Sequence, residues 1–333
     1  MTDAKNASSD SAGPNGAGPN GAGPDSAGSD GAASERAASE RAGDRRSAVE
    51  VLAPPRLASP VIFASPHSGR DYPASFLQNA RLDQHRLRQS EDCYVDLIFD
   101  AAPRHGAPLL RALFPRAYVD VNRARTELDP RMFTDPLPDG IDARSNRVIA
   151  GLGVIPRIVA DGQDIYGRKL RAADAERRLA ACYDPYHAAL SSLVSAAQDA
   201  FGCAIIIDCH SMPSAGGAPF RPGERPIDFV LGDRFGASCS MAVSDLVEKT
   251  LVDLGYETAR NAPYAGGYVA ASYGRPTNGV HVIQIEINRA LYLDEKRIAR
   301  TGDFGRLRQS MIALIKRLIH LRADDLWIAQ AAE

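Results

Sequence analysis

The chain has 333 residues, of which 24% are charged, and its formal net charge is −2 at pH 7. This near balance argues against a nucleic acid or a membrane surface recruited by bulk charge, and no run approaches the ~18 to 20 apolar residues that cross a bilayer. The length is enough for a core that needs no disulfide or metal to stabilise it. The five cysteines show no CxxC spacing, so we expect reduced thiols and a cytoplasmic protein.

The N-terminal region differs in composition from the rest of the chain. Residues 1–47 contain near-repeats such as AGPNG and AASER, and no Val, Ile, Leu, Phe, Tyr or Trp precedes Val49. Such a segment cannot bury enough apolar surface to offset the entropy of ordering, and it lacks the apolar region of a signal peptide. We therefore predict a disordered tail over 1–47, one folded domain over 48–325 and a short C-terminal tail over 326–333.

The first half of the predicted domain begins with a short apolar strand over 61–64. It ends at SPHSG, where a proline and a glycine predict a tight turn that carries His67. Helical spacing predicts a helix over 83–102, with Glu91 and Asp92 inside it. One or two strands are predicted over 109–121, the second of them over 117–121. A long irregular segment, of the kind that forms a binding loop or a lid, is predicted over 126–165.

The second half begins with a predicted helix over 172–201, which Asp184-Pro185 divides or kinks. The apolar run AIII at 204–207 predicts a central strand covered on both faces, and it ends at Asp208-Cys209-His210. The later elements are predicted strands over 228–231 and 280–287, helices over 238–254 and 302–321, and a loop rich in Tyr and Gly over 261–278.

Strands that alternate with helices predict an α/β fold, specifically a three-layer α/β/α sandwich with a mixed, mainly parallel sheet. Several chemically active side chains lie at or just beyond the carboxyl end of a predicted strand. Ligands bind at that edge of open α/β sheets, so we expect most of these residues to converge there. They are His67, Asn122-Arg123, His210, Asp233 and Glu286.

These residue types form the minimum set for a hydrolytic zinc site. Such a site uses three protein ligands and keeps one position for a water whose pKa falls to about 7. His67 and His210 are the first candidate ligands, and a carboxylate from another segment must be the third. Glu286 is suited to accept a proton from the water and pass it to the leaving nitrogen.

The main mechanistic alternative is a cysteine amidase with Cys209 as its nucleophile, because a thiolate beside a histidine is a known arrangement. Adjacent residues of an extended strand point to opposite sides, which argues against a Cys209–His210 pair. A second alternative is a metal-dependent binding protein for an acylated amino acid that has no catalytic activity.

Five segments carry a more specific resemblance. They are SPHSGRDYP (65–73), SEDCYVDLIF (90–99), VDVNRAR (119–125), DCHSMPS (208–214) and the segment 261–295. Together, over residues 60 to 322, they resemble the N-formylglutamate amidohydrolase family, also called N-formylglutamate deformylase. The resemblance implies a zinc-exopeptidase-like fold and one divalent metal, Zn²⁺ first and Co²⁺, Fe²⁺ or Mn²⁺ otherwise. It also implies hydrolysis of N-formyl-L-glutamate to formate and glutamate in histidine breakdown.

The resemblance further implies roles for single residues. His67 and His210 match metal ligands, and either Glu91 or Asp92 completes the set, with Asp92 preferred. Glu286 is similar to the general base of zinc carboxypeptidases and aspartoacylases. Asn122 and Arg123 resemble the pair that holds a substrate carboxylate, with Arg123 also counted as catalytic. Because the substrate is a small dianion, further contacts are expected from candidate loops, namely Arg125, Arg168, Tyr268 and Arg275.

One alternative keeps this chemistry and changes the substrate. A pocket for a formyl group differs from a pocket for a larger acyl group by only a few side chains. The sequence is therefore also compatible with an amidohydrolase that acts on a different N-acyl amino acid.

Overall fold

The computed structural model describes residues 47–159, 162–218 and 225–327. The tail predicted over 1–47 lies outside this part of the chain except for Ser47, as do residues 328–333 of the predicted C-terminal tail. From Ser47 onward the described residues form one compact unit. A helix over Ala323–Trp327, with Leu326 buried in the core, extends the unit beyond residue 325. None of the described helices is both long enough and apolar enough to span a bilayer.

A seven-stranded sheet organises the fold, in the order β1-β3-β2-β4-β7-β5-β6. The strands β2, β3, β4 and β7 run parallel, whereas β1 is antiparallel to β3 and β5 is antiparallel to β7. The predicted mixed, mainly parallel sheet is confirmed. The strand bounds are β1 Val49–Leu52, β2 Val61–Ser65, β3 Leu109–Ala112, β4 Ala204–Met212, β5 Phe229–Gly232, β6 Thr258–Arg260 and β7 Val280–Asn288. A separate two-stranded sheet pairs β8 Leu293–Asp294 with β9 Ala299–Arg300.

Helices cover both faces of the large sheet, which confirms the three-layer arrangement. Those described are α1 Ala74–Asn79, α2 Gln84–Leu87, α3 Val95–Ile98, α4 Asn146–Ile149, α5 Ala172–Arg178, α6 Asp184–Phe201, α7 Met241–Asp253, α8 Tyr268–Tyr273, α9 Phe304–Leu318 and α10 Ala323–Trp327. One hydrophobic cluster joins α3, α7 and α9 to one face of the sheet. A second cluster joins α5, α6 and α8 to the other face.

Side-chain alternation along β4 decides which residues reach the site. Ile205, Ile207 and Cys209 enter the cluster of α7 and α9, while Ala204 and Ile206 enter the cluster of α6. The same alternation therefore places Asp208 and His210 on the α6 face. On β7, Ile283, Ile285 and Ile287 face α9 and Val282 faces α6, so Glu286 lies on the same face as His210.

The helix predicted over 83–102 is interrupted. It is replaced by α2, a 3₁₀ turn over Arg88–Ser90 and α3. Tyr94 adopts a left-handed backbone conformation with φ 64°, which a continuous right-handed helix does not allow. Asp92 consequently lies in a connection between helices, where it can turn towards the sheet.

The prediction of a strand over 117–121 is wrong. The N–H groups of Tyr118 and Val119 donate to the carbonyl of Pro115, which makes a turn. The N–H of Asp120 donates to the carbonyl of Val154 at 2.8 Å, so this segment is bound to a loop and not to the sheet.

The helix predicted over 172–201 shows the expected irregularity. A π-helical turn over Leu179–Tyr183 joins α5 to α6, and Asp184 and Pro185 open α6.

Asp233 does not lie at the edge of the sheet where the other candidate residues converge. Because β5 runs antiparallel to β7, its carboxyl end lies at the opposite edge of the sheet. There the Asp233 carboxylate accepts hydrogen bonds from Ser244 Oγ and Asn261 Nδ2 at 2.9 and 2.8 Å.

Gly69 closes the turn that carries His67, and we expect its substitution to be costly. A Cβ at this position would lie 2.1 Å from the carbonyl oxygen of Phe114, so Gly69→Ala must displace backbone. We expect it to lower the free energy of unfolding by ~2 to 4 kcal/mol in urea denaturation followed by circular dichroism. Gly305→Ala on α9 is the control, because a Cβ there meets nothing within 4 Å. Equal stability of the Gly69→Ala protein and the unaltered protein would contradict the prediction.

Candidate metal centre and active site

Three buried side chains from distant segments meet at the carboxyl end of β4. Asp92 Oδ2 lies 3.2 Å from His67 Nδ1 and 3.0 Å from His210 Nδ1. One ligand atom from each of the three residues lies within 4.8 Å of the others. His67 comes from the turn after β2, Asp92 from the connection before α3 and His210 from β4 itself.

A second carboxylate contacts the Nε2 atom of each histidine, on the opposite side of the ring from Asp92. His67 Nε2 lies 2.8 Å from Asp120 Oδ1, and His210 Nε2 lies 3.0 Å from Asp208 Oδ2. Donation of the Nε2–H to these carboxylates leaves each Nδ1 lone pair for a cation. Two imidazole nitrogens and one carboxylate oxygen form a donor set of the kind found in catalytic zinc sites. The residues therefore fit a divalent cation.

The charge of Asp92 is stabilised despite its burial. Burial would raise the pKa of this carboxyl, but where no cation is bound, Nδ1–H groups of His210 and His67 donate to it and hold its pKa well below its usual range. A bound cation would take the place of these protons. Arg289 adds an ion pair, with Nη2 3.2 Å from Asp92 Oδ1, and its Nε donates to Ser211 Oγ at 3.2 Å. The carboxylate is thus ionised, the form in which it can bind a metal.

Glu91, the other candidate for the third ligand, has different partners. Its carboxylate accepts hydrogen bonds from the Tyr72 hydroxyl at 2.7 Å and from Arg88 Nε at 3.1 Å. The group of potential ligands accordingly contains Asp92 and not Glu91.

Glu286 lies beside this group because β4 and β7 are parallel and in register. His210 and Glu286 are directly paired positions in the two strands. Gln284 Nε2 donates to Glu286 Oε1 at 2.7 Å and orients the carboxylate. Burial raises the pKa of Glu286 to about 7, against the opposing effect of His210. A carboxyl group with that pKa can both take up and release a proton near neutral pH.

A cavity of about 290 Å³ opens onto these residues. His67, His210 and Glu286 line its floor, and its walls include four arginines, namely Arg116, Arg123, Arg147 and Arg289. Planar guanidinium groups can hold carboxylates through paired hydrogen bonds. The cavity is therefore suited to a small anion positioned next to a metal site.

Asn122 and Arg123, predicted as a substrate-binding pair, both line this cavity. Arg123 Nε donates to the carbonyl of Leu152 at 2.9 Å, and its Nη1 donates to the carbonyl of Asn122 at 2.7 Å. Asn122 Oδ1 accepts from the N–H of Val269 at 2.8 Å, while its Nδ2 lies 3.4 Å from Asp208 Oδ2. Asn122 thus positions the carboxylate behind His210 as well as lining the cavity. Gly267 allows this approach, since a Cβ there would lie 2.5 Å from Asn122 Nδ2.

The other four predicted substrate contacts, Arg125, Arg168, Tyr268 and Arg275, do not line this cavity. Arg125 pairs with Glu176 and Asp184, and Arg168 donates to Asn79. Arg275 donates to the carbonyls of Ala271 and Gly274. The ring of Tyr268 packs against His187 at a centroid distance of 5.8 Å. Each of the four side chains therefore has partners outside the cavity.

Several residues that build the site were given no role from the sequence. Strand alternation could have identified two of them, because Asp208 and Gln284 each precede a candidate residue by two positions and share its face. Arg116 and Asp120 lie in or next to turns, and Arg147 and Arg289 lie in single helical turns, all too short for spacing to give a comparable signal.

The sequence and fold were compared with those of known proteins. Residues 59–293 match the model of the N-formylglutamate amidohydrolase family. The chain belongs to this family. One relative of this chain is the N-formylglutamate deformylase of Pseudomonas aeruginosa. The two are 30% identical over 74% of this chain and 87% of that protein. The enzyme of the same name from Pseudomonas putida is 26% identical over 71% of this chain and 82% of that protein.

A solved structure supports the same family assignment. The crystal structure of N-formylglutamate amidohydrolase from Ralstonia eutropha matches 86% of this chain and 100% of its own chain, with 37% identity and a TM-score of 0.77. The resemblance noted from the sequence motifs is therefore confirmed, together with the α/β fold.

We expect Asp92, and not Glu91, to control metal affinity. Asp92→Asn removes a candidate ligand charge and should weaken Zn²⁺ binding at least ~10 to 100-fold, the range seen even for residues behind a ligand. Equilibrium dialysis followed by elemental analysis of the folded protein measures this. Glu91→Gln is the matched control and should retain its metal, because Glu91 is bound to Arg88 and Tyr72. Metal loss confined to Glu91→Gln would reverse the assignment.

Proposed function

We propose that this protein hydrolyses N-formyl-L-glutamate to formate and L-glutamate with one divalent cation, Zn²⁺ first and Co²⁺, Fe²⁺ or Mn²⁺ otherwise. Its membership in the N-formylglutamate amidohydrolase family and the names of its relatives support the substrate. The observation that carries the mechanism is the buried group of His67, Asp92 and His210 with Glu286 on the adjacent strand.

The proposed chemistry is addition of water to the formyl carbon. A cation bound by the three ligands would act as a Lewis acid and lower the pKa of a water to about 7. Glu286 accepts a proton as the water oxygen forms its bond to the formyl carbon. It then donates that proton to the amide nitrogen as the C–N bond breaks, which yields formate and the free amino group. Burial raises the pKa of Glu286, which opposes the lowering that a nearby divalent cation would cause.

Substrate binding in this proposal depends on the arginines of the cavity. Arg116 Nε is bound to Asp120 Oδ2 at 3.0 Å, and Arg123 is bound to two backbone carbonyls. These contacts fix both guanidinium groups beside the catalytic residues. We assign them the α-carboxylate of the substrate, which is adjacent to the amide that is cleaved.

The cysteine mechanism finds little support in the site. Cys209 is fully buried in the hydrophobic cluster on the face of β4 opposite His210, and its Sγ lies 3.3 Å from the carbonyl of Ile207. Burial raises the pKa of this thiol well above its ordinary value. A neutral thiol within the core is a poor nucleophile.

The proposed cellular setting is the cytoplasm, in histidine breakdown. All five cysteines are unpaired and buried. Unpaired thiols are typical of proteins in a reducing compartment.

Glu286→Gln tests the catalytic role of Glu286. The glutamine can still accept a hydrogen bond from Gln284 but cannot take up a proton, so kcat should fall by ~10²-fold or more while KM changes little. Formate release from N-formyl-L-glutamate measures kcat, and calorimetric titration measures binding. Glu257→Gln at the surface, where Glu257 pairs with Arg225, is the control. An unchanged kcat in Glu286→Gln would exclude Glu286 from the mechanism, and substrate binding by the unaltered protein without formate release would favour a binding protein.

Cys209→Ala together with a chelator separates the metal mechanism from the cysteine mechanism. Under the metal mechanism, the variant should keep formate release per folded molecule and lose ~1 kcal/mol of stability through the small cavity it creates. A chelator should abolish turnover in both proteins, and added Zn²⁺ should restore it. Loss of an acyl-enzyme burst in Cys209→Ala, with no effect of the chelator, would support the cysteine mechanism.

A further inference from the structure

The four arginines of the cavity differ in their partners. Arg116 pairs with Asp120, Arg123 donates to the carbonyl of Leu152, and Arg289 pairs with Asp92. Within residues 47–159, 162–218 and 225–327, the guanidinium of Arg147 has no hydrogen-bond or ion-pair partner, although it lines the same cavity. In the described part of the chain Arg147, an exposed residue, is therefore the cavity arginine with none of its donors engaged by the protein.

The backbone around Arg147 is well anchored. Arg147 lies on α4, where Ser145 Oγ accepts the N–H of Val148 at 3.2 Å and the Val148 side chain is buried. The carbonyl of Arg147 accepts the N–H of Leu152 at 2.8 Å, and the carbonyl of Leu152 accepts Arg123 Nε at 2.9 Å. The backbone of Leu152 thus connects the two arginines and limits how far they can separate.

The charges around Arg116 differ from the charges around Arg123. Arg116 is surrounded by acidic groups, among them Asp120, Asp92 and Glu286. Burial lowers the pKa of Arg123. The negative charge of Asp120 opposes this effect, whereas the nearby positive charges of Arg116 and Arg147 add to it. Two like charges at one cavity wall are unfavourable unless an anion binds there.

We propose that Arg147 is a specificity-determining residue that binds the side-chain carboxylate of an N-formyl dicarboxylic amino acid. This inference rests on the proposed function, which places the formyl amide beside Glu286 and the α-carboxylate at Arg116 and Arg123. The side-chain carboxylate of glutamate lies two methylene groups beyond the α-carbon. It can then extend towards α4, where Arg147 offers paired donors to its two oxygens.

The proposed contact predicts which of two similar substrates the site prefers. A site that pairs a cation with the side-chain carboxylate should prefer N-formyl-L-glutamate to N-formyl-L-glutamine, its uncharged isostere. A hydrogen bond to a charged group contributes ~1.5 to 3 kcal/mol, which corresponds to ~10 to 150-fold in kcat/KM.

The experiment compares Arg147→Gln, Arg147→Lys and the unaltered full chain on both substrates, with Zn²⁺ present and formate release as the readout. Arg147→Gln should lower kcat/KM for N-formyl-L-glutamate by ~10 to 150-fold, chiefly through KM, because a carboxylate contact that is present before and during reaction is lost. Activity on N-formyl-L-glutamine should stay nearly constant. Arg147→Lys keeps the charge without the paired donors and should retain part of the preference.

Arg144→Gln is the matched control. Arg144 is exposed and lies in the same segment, but it does not line the cavity. It should leave both substrates unaffected.

The outcomes separate this inference from the proposed function. A preference for N-formyl-L-glutamate that persists in Arg147→Gln overturns the inference alone, provided that the unaltered protein releases formate. An equal fall on both substrates also overturns it and indicates a structural role for Arg147. Absence of formate release by the unaltered protein from either substrate overturns the proposed function, and this inference with it.

Discussion

The site depends on one buried negative charge. The Asp92 carboxylate is 1% exposed, and an unpaired charge at that depth would be strongly destabilising. Its partners are the Nδ1 atoms of His67 and His210 and the guanidinium of Arg289. They belong to the turn after β2, to β4 and to the segment after β7. Neutralising this charge therefore brings three distant parts of the chain to one point, next to which the cavity forms.

The register between β4 and β7 positions Glu286, the proposed proton-transfer group. Isoleucines that alternate along both strands pack against α7 and α9, and this packing selects the pairing of His210 with Glu286. A slip of one residue would move Glu286 to the opposite face of the sheet, away from the histidines. Apolar packing in the core thus determines the position of a reactive carboxylate that makes no contact with that part of the core.

How much the sequence predicts depends on the element that carries each residue. His67, His210 and Glu286 could be predicted to meet because parallel strands end at one edge of a sheet. Asp233 could not be excluded from the predicted site, because the short apolar run of β5 does not reveal that this strand is antiparallel to β7. Arg125 was predicted to contact the substrate because it lies in a candidate loop. Its observed partners, Glu176 and Asp184, lie more than fifty residues further along the chain and could not be inferred from it. Arg147 gave no signal, because it lies in a segment without periodicity.

The walls and floor of the cavity come from different kinds of structure. The strands and the turns next to them carry the proposed hydrolytic residues, whereas α4 and the adjoining loop contribute Arg147 and Leu152 to the cavity lining. That wall is attached to the floor through the Leu152 carbonyl and Arg123. Under the proposed role of Arg147, replacements in this wall should alter which acylated amino acid binds without moving His67, His210 or Glu286. Substrate selectivity could thus evolve in this wall independently of the proposed hydrolytic residues.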